Sequence, residues 1–102
     1  MANTVIGNSI TIDGEISGDD TLIVQGTVKG RISLEQVIEE AEGSVEAEVE
    51  VRHIEIFGQL TGNVVAQERV DIRPEGKVTG DLKAPRIQIA EGARFKGHID
   101  ME

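Results

Sequence analysis

Few side chains in this 102-residue sequence could do chemistry, and their spacing argues against a reactive centre. His53 and His98 are the only histidines, and there is no cysteine. A zinc site draws three or four ligands, mainly from those two residue types. Both histidines fall at strand or corner positions expected to face solvent, so a metal centre would have to be shared between subunits. Thiolate nucleophiles and disulfides are excluded. The phosphate-cradling loop Gly-x-x-x-x-Gly-Lys-Ser/Thr occurs nowhere, and neither does the calcium-binding Gly-Gly-x-Gly-x-Asp. Seven acidic residues and no basic one lie between Glu35 and Glu50, whereas seven basic residues face four acidic ones from Arg69 to Lys96. The acidic run serves as a solvated face or as a docking site for a basic partner. No catalytic, cofactor-binding or metal-ligating residue is expected.

What the chain does contain is a phrase repeated about six times: glycine, any residue, an aliphatic, any residue, a small residue. It runs Gly14-Glu-Ile-Ser-Gly18, Gly26-Thr-Val-Lys-Gly30, Gly43-Ser-Val-Glu-Ala47, Gly58-Gln-Leu-Thr-Gly62 and Gly76-Lys-Val-Thr-Gly80, with a stretched last copy from Gly92 to Gly97. The leading glycines stand 12, 17, 15, 18 and 16 residues apart, close to one circuit of a chain winding through three short strands. Stacked repeats of this period make a solenoid with two open ends. Before most phrases stands an alternating aliphatic pair: Ile10/Ile12, Leu22/Val24, Ile54/Ile56, Val70/Ile72, Ile87/Ile89. Another follows: Ile32/Leu34, Val49/Val51, Val64/Ala66, Leu82/Ala84, Ile99/Met101. Period-two alternation puts each pair on one face of a strand, here the inner one. Thr11, Asp13, Glu55, Asp71 and Gln88 then fall on an outer face in water.

The expected architecture is all-β, a right-handed parallel β-helix of about six coils with three short strands per coil. Handedness follows from the general preference for right-handed crossovers between parallel strands. Residues 1–102 form a single domain, with 1–4 as a short N-terminal tail. The 12-residue first interval implies that coil one lacks its third strand. Pro74 and Pro85 fall at corners, where a missing N–H costs no ladder bond. Residues 33–43 also fit a short helix capped by Ser33 and Gln36, but a helix would leave the adjacent coils without a hydrogen-bonded layer between them, so a strand containing Val37 is expected.

Composition narrows function further. A net charge of −9 disfavours direct nucleic-acid binding. No apolar run is long enough to cross a bilayer, and residues 1–10 lack the pattern of a signal peptide, so a cytoplasmic protein is expected. Corners of two to five residues leave no room for a substrate groove, and the spacing departs from the six-residue period of acyltransferase solenoids.

The phrases Ile10-Thr-Ile-Asp-Gly-Glu-Ile-Ser-Gly18, Leu22-Ile-Val-Gln-Gly-Thr-Val-Lys-Gly30 and Ile87-Gln-Ile-Ala-Glu-Gly-Ala-Arg-Phe-Lys-Gly97 resemble the central domain of the bactofilins, bacterial cytoskeletal proteins, over residues 4 to 101. The resemblance implies a scaffold that polymerises end to end, without nucleotide, into nonpolar filaments through contacts between like ends. It also implies roles in cell shape and in localising cell-wall enzymes or other cytoskeletal proteins. Many members carry an N-terminal membrane-targeting segment; Met1-Ala2-Asn3-Thr4 has neither its bulk nor its charge, so membrane association is not expected. Self-assembly is assigned to Ile87, Ile89, Phe95 and Ile99 at the C-terminal end, and to Val5, Ile6, Ile10 and Ile12 at the N-terminal end. A monomeric or small-oligomer binding module, using the acidic third coil to engage a basic partner, is the competing expectation.

Overall fold

Alternating aliphatics broken by glycine corners give strands that cannot hide their apolar faces alone, so the chain winds and stacks them. The computed structural model describes residues 3–18 and 20–101. It contains β1 (Asn3–Ile6), β2 (Thr11–Ser17), β3 (Thr21–Val24), β4 (Thr27–Ser33), β5 (Gln36–Glu39), β6 (Ser44–Ile56), β7 (Gln59–Ile72), β8 (Lys77–Ala84), β9 (Ile87–Ile89) and β10 (Arg94–Met101). Every pairing between them is parallel, one coil onto the next. The described residues form a parallel β-solenoid of six coils, with extents of 29 × 24 × 22 Å. Asn3 and Thr4, expected in a tail, belong to β1; Met1 and Ala2 lie outside the described residues.

Inward positions line up as columns along the axis. One runs Thr4, Leu22, Val37, Ile54, Val70, Ile87; its neighbour runs Ile6, Val24, Glu39, Ile56, Ile72, Ile89. A second side stacks Ile12, Val28, Val45, Leu60, Val78 and Phe95. The third stacks Ile16, Ile32, Val49, Val64, Leu82 and Ile99. From Leu22 to Ala84 these side chains are almost wholly buried. Residues 36–39 form a strand, as the hydrogen-bonding argument required.

The register differs from the expected one in coil one. Gly14 pairs with Gly30, not with Gly26, so Ile12 answers Val28 and Ile16 answers Ile32. Ile10 stands at the corner that glycines occupy higher up: Thr27 N–H donates to Ile10 C=O as Ser44 N–H does to Gly26 C=O. Coil one therefore has its third strand, within β2. Equivalent corners are Ile10, Gly26, Gly43, Gly58, Gly76 and Ala93, giving steps of 16, 17, 15, 18 and 17 residues in place of the irregular 12.

The second glycine of each phrase makes the bend inside the long strands. Gly30, Gly62, Gly80 and Gly97 have φ between 122° and 140°, and a Cβ on Gly80 would lie 2.0 Å from the Gly62 carbonyl oxygen one coil below. Both backbone conformation and stacking distance exclude a side chain there. Ala47 turns the same bend without a positive φ.

Two acids break the polar-out pattern. Glu39 occupies the aliphatic column between Val24 and Ile56, fully buried, with neither carboxylate oxygen hydrogen-bonded. Its side chain fills space that Gly43 leaves open, where a Cβ would come within 2.8 Å of Glu39 Cγ. Burial pushes the Glu39 carboxyl up to about 9, so the group is a neutral acid near pH 7. Asp71 lies on the outer face as expected, yet it is only 2% exposed, not solvated.

Candidate self-assembly faces

The outermost strands decide what this solenoid can bind. β1 pairs only with β3 and β2 only with β4; at the other end β9 pairs only with β7 and β10 only with β8. Each of these four strands therefore presents one unpaired backbone edge, an arrangement that invites strand addition unless it is covered. No helix covers either end among the described residues.

At the C-terminal end the inward columns finish on Ile87, Ile89, Phe95, Ile99 and Met101, all aimed along the core with no further coil over them. Ile89 is 46% and Met101 58% exposed, while Ile87, Phe95 and Ile99 are half-buried against the coil beneath. Phe95 stacks on Val78, which is 1% exposed. The four residues expected here thus share one face, and Met101 joins them. The Ile99/Met101 alternation already carried that signal.

The N-terminal end is less uniform. Ile12 is half-buried at an inward position, and Ile16, absent from the expected set, lies beside it. Ile6 is 3% exposed and so has little surface left to offer. Val5, 54% exposed, faces outward in line with Ile23, and Ile10, 48% exposed, sits at the corner. The expected quartet therefore divides into one buried, one end-facing and two rim residues.

Charge also differs between the ends. The first basic residue in the chain is Lys29, and Asp13, Glu15 and Asp20 are exposed in the first coils. The last coil is mixed, exposing Arg86, Arg94 and Lys96 beside Glu91 and Asp100. Part of the acidic run in coil three is engaged: Arg31 reaches Glu48 at 2.9 Å, Arg52 reaches Glu35 at 3.3 Å, and the Gln25 amide donates to Glu40 at 2.8 Å. His98 is exposed in β10, and half-buried His53 faces outward from β6.

A six-coil parallel solenoid with unpaired strand edges at each end defines a class of protein that further coils could extend. Residues 4–100 match the family described as "Bactofilin: Polymer-forming cytoskeletal". The chain is 58% identical to bactofilin BacO of Myxococcus xanthus (strain DK1622) over 103 residues, covering all of this chain and 82% of BacO. It is 43% identical to bactofilin BacP of the same organism over 100 residues, or 97% of this chain and 42% of BacP. A cryo-EM reconstruction of Thermus thermophilus bactofilin double helical filaments superimposes with a TM-score of 0.87 at 25% identity, covering 97% of this chain and 99% of that one. The chain belongs to the bactofilin family of polymer-forming cytoskeletal proteins.

Proposed function

We propose that this protein is a cytoplasmic bacterial scaffold subunit that stacks end to end, like end on like end, into nonpolar filaments without nucleotide. Those filaments organise cell shape or localise cell-wall enzymes. The observation that carries the reading is the pair of uncapped ends, above all the C-terminal face of Ile87, Ile89, Phe95, Ile99 and Met101. Filament formation by the related Thermus thermophilus protein supports it. Burying about 400 Å² of apolar surface at such a junction contributes about 10 kcal/mol before association entropy is subtracted. Each ladder bond across it adds about 1 kcal/mol. Two isologous contacts of different kinds alternate without closing into a ring, so the polymer has no direction.

Phe95→Arg tests the assignment. It places like charges across the C-terminal two-fold contact, and chains that still join at their N-terminal ends should stop at dimers in sedimentation. Filaments that persist, or an unfolded variant, would move the junction elsewhere. Ionic strength tests polarity separately. Like-end contacts set the acidic first coil against its own copy, so added salt should strengthen assembly at that junction by screening repulsion. Head-to-tail stacking would set the acidic first coil against a last coil of mixed charge, leaving little repulsion for salt to screen.

A further inference from the structure

Outside the two ends, one cluster on the flank of the solenoid has the chemistry of a ligand site. His53 and Glu55 are two apart on β6 and therefore share its outer face. Glu55 pairs across the ladder with Asp71 of β7, one coil further on. One ligand atom from each of the three residues lies within 4.8 Å of the other two, and His53 Nε2 is 3.1 Å from Asp71 Oδ2. In a tetrahedral zinc shell with bonds of about 2.0–2.2 Å, neighbouring donor atoms stand about 3.3–3.6 Å apart. The His53–Asp71 edge, at 3.1 Å, needs to open only slightly to match. Glu55, half-buried at the surface, has to close a gap of at most about 1.5 Å to complete the set.

A second observation points to a missing partner. The Asp71 side chain is 3% exposed, and while Oδ2 contacts His53 and Arg69, Oδ1 has no hydrogen-bond partner at all. A buried carboxylate oxygen left unsatisfied calls for an ion or a water. The imidazole narrows the choice, because an aromatic nitrogen beside two carboxylates suits Zn²⁺ and its first-row neighbours better than Mg²⁺ or Ca²⁺. Gln36 is placed to orient the ring: its amide nitrogen is 3.5 Å from His53 Nδ1. Rotating that amide by half a turn presents its oxygen to an Nδ1–H, which leaves the Nε2 lone pair free to bind metal.

The geometry points to a divalent transition-metal site, of the Zn²⁺ class, held by His53, Glu55 and Asp71 and clasping the fourth coil to the fifth. Arg69 is its built-in competitor. The Arg69 guanidinium lies 2.9 Å from Asp71 Oδ2 and is 42% exposed, so it supplies the positive charge when no metal is bound and swings into solvent when one is. The site lies on the flank one coil below the C-terminal edge, where Asp71 pairs with Gln88 of β9, but its ligands face outward from the side of the solenoid, so occupancy tightens the subunit without being required for end-to-end stacking.

Chelator-stripped full-length protein, titrated with Zn²⁺ against a chromophoric chelator, should bind about one equivalent in the micromolar range. Co²⁺ in its place should give the strong visible bands of a four-coordinate site, with water as fourth ligand. His53→Gln, which alters a partly exposed side chain, should weaken binding at least tenfold while the circular dichroism stays native; His98→Gln should leave it unchanged. Arg69→Gln should tighten binding about tenfold by removing the competing charge. Filaments should form equally with and without chelator. Absence of Zn²⁺ uptake by the wild-type chain, equal affinity in His53→Gln, or weaker binding in Arg69→Gln would each overturn the assignment.

Discussion

Raising the pH should destabilise this protein through a single residue, Glu39. Its carboxyl is fully buried between Val24 and Ile56, both oxygens lack partners, and burial lifts it from an ordinary 4.5 to about 9. Between those two values the folded chain keeps a proton that the unfolded chain has released. The associated stability is therefore complete below the unfolded value and drains away as pH rises through the folded one. The slope is about 1.4 kcal/mol per pH unit, so about 4 kcal/mol should vanish from about pH 5 to about pH 8. Against a total of about 5–15 kcal/mol for a typical domain, that loss is readily measured. Urea unfolding followed by far-UV circular dichroism, at one fixed protein concentration, gives the profile. Glu39→Gln supplies the reference because it keeps the shape and cannot ionise, and the difference between the two chains cancels every other titrating group. The wild-type profile should fall away from the Glu39→Gln profile by about 4 kcal/mol across that interval. Glu39→Leu, which restores hydrocarbon to the column, should exceed wild type by several kcal/mol at the upper end. Parallel profiles for wild type and Glu39→Gln would refute the reasoning, because they would mean that Glu39 ionises alike in both states.

Ile56→Asp stacks a second carboxyl directly beside Glu39 at a position 0% exposed, and should abolish the native circular dichroism; retention of native β-structure would overturn the inward register. Gly80→Ala meets the Gly62 carbonyl oxygen at 2.0 Å, whereas Gly14→Ala meets nothing within 4 Å, so the first should cost about 2 kcal/mol more than the second in thermal or urea unfolding. Neither ATP nor GTP should change the critical concentration for filaments in a pelleting assay, and Phe95→Arg should reduce the pelletable fraction to background while leaving a folded dimer.

The architecture was legible because hydrocarbon had to alternate with polar residues wherever a strand faced both core and water, and that alternation recurs in every coil from Leu22 to Met101, broken at the corners and at Glu39. Coil one was misregistered because Gly14-x-x-x-Gly18 copies the spacing of Gly26-x-x-x-Gly30, while the corner it should have matched is filled by Ile10. Nothing in the run Glu39-Glu40-Ala41-Glu42 distinguishes the first glutamate as buried; only the pairing with Val24 and Ile56 does. The C-terminal face could be read from the last aliphatic pairs, since a column that runs out of coils must end exposed. The flank cluster could not, because His53 and Asp71 are 18 residues apart and meet only through a register shift after Val51.

All the ladders of this solenoid point their hydrogen bonds along one axis. Axial tension on a filament therefore pulls every bond between two coils at once, side by side, and sliding one strand past another resists none of it. Inside a subunit each interface between coils is reinforced by covalent corners, whereas a junction between subunits has no such tether. A stretched filament should snap cleanly between intact subunits, and the broken faces would be the same unpaired edges that joined before. Rupture then leaves nothing to refold, and a strand severed by force can anneal as soon as the load is gone.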